Sequence, residues 1–147
     1  MLKLDHVGIA VKDLDKAVKC YQKMFRIKDY DEWRVEGHGN DTAFLTIYEK
    51  LGPKPVENVS FEIMAPIKEA EKSDIRDHIE EKGEGLYHLA FMAEDFDRAI
   101  AYLKQIRDLD LELLEPEGTY KHAMIHPCAY TSYVRIYIYN EKYEPNE

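Results

Sequence analysis

Residues 4–23 read LDHVGIAVKDLDKAVKCYQK, and residues 86–105 read LYHLAFMAEDFDRAIAYLKQ. Laid on one another at an offset of 82, they share Leu4/Leu86, His6/His88, Asp13/Asp95, Asp15/Asp97 and Ala17/Ala99, with apolar matches such as Ile9/Phe91, Leu14/Phe96 and Val18/Ile100 between. A single internal repeat implies two related half-domains rather than a solenoid. Each copy opens as a strand, because Val7, Ile9 and Val11 alternate with small or polar residues, as do Leu89 and Phe91. A helix follows each strand. Asp13 and Asp95 are N-cap candidates, and Leu14, Ala17, Val18, Tyr21, Met24 and Phe25 keep helical spacing, as do Phe96, Ala99, Ile100 and Leu103. Three further short strands fit each half, at roughly 32–36, 42–48 and 59–64, then 111–114, 121–125 and 133–139. The unit is βαβββ, twice.

Working outward, residues 73–82 (SDIRDHIEEK) read as a linker helix opened by Ser73 and closed by Gly83. The expected organisation is one domain: a first module over 1–66, the linker over 67–84, a second module over 85–140, and a frayed polar tail over 141–147. The fold class is α+β, with two tandem βαβββ modules whose curved mixed sheets enclose a cleft. A chain of 147 residues buries enough surface to fold without staples. A formal net charge of -9 with no basic stripe argues against a nucleic-acid partner. Cys20 and Cys128 are isolated, which leaves neither a disulfide framework nor a zinc knuckle. No signal-peptide pattern opens the sequence and no stretch approaches a membrane span, so a cytoplasmic protein with no membrane partner is expected.

Alternation along each strand separates two faces. His6, Gly8 and Ala10 oppose Val7, Ile9 and Val11; His88, Ala90 and Met92 oppose Leu89 and Phe91. Ser60, Glu62 and Met64 oppose Val59, Phe61 and Ile63; Arg135, Tyr137 and Tyr139 oppose Val134, Ile136 and Ile138. Thr42, Phe44, Thr46 and Tyr48 fall on the side of Glu62. With the apolar faces packed on helices, His6, Glu62, His88 and Tyr137 turn toward a shared concavity. Two imidazoles and a carboxylate suit one divalent ion, Zn, Co, Ni, Mn or Fe, and so few protein ligands leave positions open for substrate. His122 and His126 do not form a second site, since four strand residues separate them by about 13 Å. Cys128 has no basic neighbour in sequence to activate it.

These residues resemble the vicinal oxygen chelate (glyoxalase/bleomycin-resistance/dioxygenase) superfamily, and within it the methylmalonyl-CoA epimerase and glyoxalase I branch. The resemblance runs from about Leu4 to Tyr139, through DHVGIAVKDLDKA, the linker ending EKGEGLYHLAF, and His126-Pro127 before a closing strand. It implies a metal held by His6, Glu62, His88 and the position of Tyr137, where that branch carries a glutamate that also moves the proton. It also implies an acid/base region near residues 36–39, which makes Glu36 and His38 catalytic candidates beside Tyr137. The implied function is a metal-dependent isomerase or lyase abstracting a proton next to a carbonyl through a metal-bound enolate. Its substrate would be a small molecule, a CoA thioester or another vicinal-oxygen compound, with Arg135 and Lys121 at the pocket mouth, and its assembly a homodimer. Two alternatives stay open. One is a non-catalytic protein that sequesters a small molecule in an aromatic cleft of Phe44, Tyr48, Tyr87, Tyr137 and Tyr139; the other is a non-haem iron dioxygenase.

Overall fold

The computed structural model describes residues 1–50 and 55–140, with 48–50 and 55–58 as backbone only. The expected tail at 141–147 and the side chain of Tyr48 lie outside the described residues. The described chain runs β1 (Leu2–Ala10), α1 (Leu14–Phe25), β2 (Asp31–Val35), β3 (Asn40–Lys50), β4 (Pro55–Pro66), α2 (Asp74–Lys82), β5 (Gly85–Ala93), α3 (Phe96–Leu103), β6 (Leu111–Leu113), β7 (His122–Ile125) and β8 (Arg135–Tyr139). The strands form a mixed eight-stranded sheet in the order β2-β3-β4-β1-β5-β8-β7-β6. In each half the opening strand lies parallel to the closing one, β1 with β4 and β5 with β8, and the remaining described pairings within each half are antiparallel.

The chain forms two compact units, His6–Tyr87 and a second built from Met1–Asp5 with the chain from His88 onward. Strand β1 is therefore divided. Its first residues belong with the second unit, where the Glu94 N–H donates to the Met1 carbonyl at 3.2 Å.

In the first unit, the Asp13 carboxylate accepts the Lys16 N–H at 3.0 Å, so the expected N-cap starts α1. Leu14, Ala17, Val18 and Tyr21 of that helix pack on Val11, Ala43, Leu45, Phe61 and Ile63. Met24 departs from the stripe and is 63% exposed, two residues before Arg26 ends the helix in a left-handed conformation. Strands β3 and β4 outrun the sequence expectation at both ends, because their antiparallel pairing continues from Asn40↔Pro66 to Lys50↔Pro55.

Ser73 caps α2 as expected, accepting the Arg76 N–H at 3.1 Å, and its hydroxyl donates to buried Asn40 Oδ1 at 2.7 Å. The helix packs Ile75 on Ala10 and Met64. On the face that carries His6 and Glu62, α2 covers the Ala10/Met64 end. In the second unit Asp95 caps α3 by accepting the Arg98 N–H at 3.0 Å. Phe96, Ala99 and Leu103 then cover Ala93, Ile125, Ile136 and Ile138.

Candidate functional site

The first unit sets an imidazole against a carboxylate. Parallel pairing of β1 with β4 puts Gly8 opposite Glu62, so Glu62 stands two residues further along than His6, and the missing glycine side chain leaves room between them. His6 Nε2 lies 2.9 Å from Glu62 Oε2, with the two side chains 14% and 20% exposed. Two donor atoms at about 2.1 Å from one ion and about 90–110° apart stand roughly 3.0–3.4 Å from each other. The pair is thus nearly at the separation that two ligands of one cation adopt. Behind it, the Phe44 ring meets His6 edge-on at 5.3 Å, and Thr46 Oγ1 lies 2.8 Å from Ser60 Oγ on the same face.

The second unit repeats this register with different chemistry. Ala90 pairs with Tyr137 as Gly8 pairs with Glu62, so Tyr137 stands two residues along from His88 on the closing strand. His88 is 4% exposed, and its ring meets that of Tyr137 at 5.0 Å and 84°. A phenol therefore occupies the place that a carboxylate holds in the first half.

The other candidates are distributed elsewhere. Glu36 and His38 form an exposed 3-10 turn, and His38 Nδ1 lies 2.9 Å from Asp74 Oδ2 at the start of α2. That turn adjoins Asn40, four β3 residues, or about 13 Å, from Phe44, the residue in register with Glu62. It is fixed by Gly39, whose φ is 66° and where an added Cβ would lie 1.9 Å from the Lys72 carbonyl oxygen. Lys121 grips both carboxylate oxygens of Asp97, at 3.0 and 2.8 Å. Tyr87 packs on the Ala10, Met64 and Ile75 cluster and crosses the His78 ring at 4.9 Å, and Tyr139 is buried with its ring 6.3 Å from Tyr120.

Three features escaped the sequence patterning. Trp33, 42% exposed on edge strand β2, lies with its ring 6.0 Å from Phe44 and extends the aromatic row that begins at His6. Its signal was the lone tryptophan in a strand of charged residues. His122 has a buried Nδ1 with no hydrogen-bond partner, and burial pushes its pKa down against a smaller upward pull from Glu117. Burial pushes the Cys128 thiol up, but hydrogen bonds with the Thr131, Asp110 and Tyr130 backbone and the Thr131 side chain together outweigh it and leave the thiol below its ordinary value. The local sequence holds no charge that would have announced this.

A sequence model of the Glyoxalase/Bleomycin resistance protein/Dioxygenase superfamily matches residues 5–124. The chain belongs to that superfamily. A lactoylglutathione lyase of Schizosaccharomyces pombe is 27% identical over 129 residues, covering 82% of this chain. The chain spans 42% of that enzyme's length. Among solved structures, a methylmalonyl-CoA epimerase of Streptomyces coelicolor in complex with 2-nitronate-propionyl-CoA superposes with a TM-score of 0.72 at 21% identity, covering 96% of this chain and 98% of its own. The methylmalonyl-CoA epimerase of Mycobacterium tuberculosis gives a TM-score of 0.70 at 25% identity, covering 95% and 88%. These superfamily relatives share the vicinal oxygen chelate fold, α+β with a mixed open sheet, that the strand order here displays. Among the described residues no helix is long and apolar enough to cross a membrane.

Proposed function

We propose that this superfamily member is a metal-dependent isomerase or lyase that removes a proton next to a carbonyl, with His6, Glu62 and His88 holding one divalent ion. The observation that carries the reading is the His6–Glu62 pair at 2.9 Å, half-buried on a sheet face, with small residues around it. His88, the repeat counterpart of His6 on β5, is the third ligand on this reading. Two neutral imidazoles and one carboxylate fit a borderline divalent cation such as Zn, Co, Ni, Mn or Fe. Such an ion, when bound, supplies Lewis acidity toward a carbonyl oxygen.

The chain's own groups do the rest. Glu62 neutralises part of the ion's charge and orients His6 through the oxygen that faces the imidazole, and its other carboxylate oxygen would take the proton that leaves carbon. Tyr137, at the position corresponding to Glu62, presents a phenol whose O–H donates to the oxygen on which negative charge develops, a contribution that grows with the charge. The substrate on this reading is a small vicinal-oxygen compound, for which the S. coelicolor relative's complex with a CoA compound makes a CoA thioester the first to test. A homodimer is the expected assembly.

The phenol at the second-half position also favours a second reading, a non-catalytic member that binds a small molecule there, since Tyr137 is a weaker proton acceptor than a carboxylate. Elemental analysis of metal-depleted and reloaded protein, wild type beside His6→Ala and Glu62→Ala, tests the ion. About one equivalent in wild type, lost in both folded variants, is expected; no uptake of any of the five ions overturns both the metal site and the enzyme reading. Racemisation of a 2-methyl thioester in deuterated water, with solvent deuterium entering the product, then separates the isomerase from the binding protein.

A further inference from the structure

In the first unit the aromatic row runs outward from the candidate ligand pair. His6 contacts Phe44 at 5.3 Å, and Phe44 contacts Trp33 at 6.0 Å with the ring planes tilted by 33°. Phe44 stands opposite Glu62 in the β3/β4 register, and Trp33 stands opposite Thr42 in the β2/β3 register. Two strand spacings therefore carry the row roughly 10 Å from Glu62. Neighbouring Ala43 and Leu45 face α1 and are wholly buried, so the alternation that packs them turns Phe44 to the opposite side, the side of Glu62.

Trp33 is the chain's one tryptophan, it leaves 42% of its surface exposed on an edge strand, and its strand neighbours Glu32 and Arg34 are exposed and charged. Arg34 is tied to the Asp41 carboxylate at 2.8 Å, an exposed ion pair between β2 and β3. A half-exposed tryptophan costs solubility and gains little as packing in that position, whereas a ring beside a polar ligand pair offers stacking area to a second ring.

We infer that Trp33 and Phe44 form the wall that receives an aromatic arm of the substrate, so that this protein selects vicinal-oxygen compounds bearing a ring about 10 Å from the chelating oxygens. The inference deepens the function proposed above and rests on His6 and Glu62 being the chelating end. Trp33 is the specificity-determining residue. A small aliphatic substrate engages only the polar end, and an aryl substrate engages both.

Two hydroxamates test this, since each offers a pair of chelating oxygens and they differ only in the arm: acetohydroxamate and a biphenyl hydroxamate. Their dissociation constants are measured by calorimetry on zinc-loaded and zinc-free protein, for wild type, Trp33→Ala and Trp33→Phe. In zinc-loaded wild type the biphenyl compound is expected to bind about tenfold tighter than acetohydroxamate. The advantage disappears in Trp33→Ala, returns in Trp33→Phe, and acetohydroxamate binds all three alike, which also certifies their folding. An advantage that survives Trp33→Ala, or no advantage at all, overturns the wall while leaving zinc-dependent acetohydroxamate binding as support for the ion. A Trp33-dependent advantage equally strong without zinc supports the wall and overturns the chelating end. Failure of both compounds to bind, with or without zinc, overturns both.

Discussion

The two halves of this chain use one backbone register to present different groups. In each, a histidine on the opening strand is followed two residues on by a small residue that pairs with the functional side chain of the parallel closing strand: Gly8 with Glu62, Ala90 with Tyr137. In the first half the result is a hydrogen-bonded polar pair at 2.9 Å; in the second it is an edge-on ring contact at 5.0 Å. Pairing geometry is set by backbone hydrogen bonds and is indifferent to the outward side chain. Duplication therefore preserves position while chemistry at that position is free to change. The halves also differ in extent, with β3 and β4 of 11 and 12 residues against β7 and β8 of 4 and 5.

The largest effects concern what the halves share. Leu45→Ala and Ile138→Ala, at 0% and 1% exposure in separate apolar clusters, are each expected to cost about 2–5 kcal/mol in urea unfolding. A cost confined to one of them would break the equivalence of the two cores. Next come the groups that differ. Glu62→Gln should weaken zinc binding by about a hundredfold in a chelator competition, and Tyr137→Phe by less than about threefold. Equal losses would make the phenol a ligand on a par with the carboxylate.

The caps sharpen the comparison further. Asp13→Ala and Asp95→Ala each remove a carboxylate that accepts a helix N–H at 3.0 Å, and each should lower stability by about 1 kcal/mol. The smallest effect is specific to the second half. Burial holds the His122 pKa below its ordinary value, so the unfolded chain takes up a proton at a higher pH than the folded one. The stability linked to neutral His122 is complete above about pH 6.5 and is lost as pH falls through the lower folded value. Melting temperatures from pH 7.5 to 5 should fall less steeply in His122→Phe than in wild type.

The parts of this molecule legible in sequence are those set by local rules. Asp13, Ser73 and Asp95 each cap the helix expected of them, because capping is decided within four residues. The sorting of Phe61 and Ile63 to the helix side, and of Glu62 to the other, follows from strand alternation alone. What stayed hidden depends on tertiary partners. The seating of α2 over Ala10 and Met64, the capture of Lys121 by Asp97, and the turn of Met24 into solvent are decided by residues distant in the chain. The extension of β3 and β4 to Lys50 and Pro55 runs against the low strand propensity of those ends and is carried by cross-strand pairing. The Trp33 row was invisible for a related reason, since a stack across three strands leaves no periodic trace in any one of them.

The division of β1 has a consequence for synthesis on the ribosome. His6–Tyr87 is one compact unit, continuous in sequence, and can consolidate as soon as it clears the exit tunnel, whereas Met1–Asp5 belongs with residues from His88 onward. Residues 1–5 are therefore translated more than eighty residues before the segment that completes their unit. Deleting or bulking up that short segment should then leave the early unit intact while slowing closure of the late one, a kinetic signature distinct from any change in final stability.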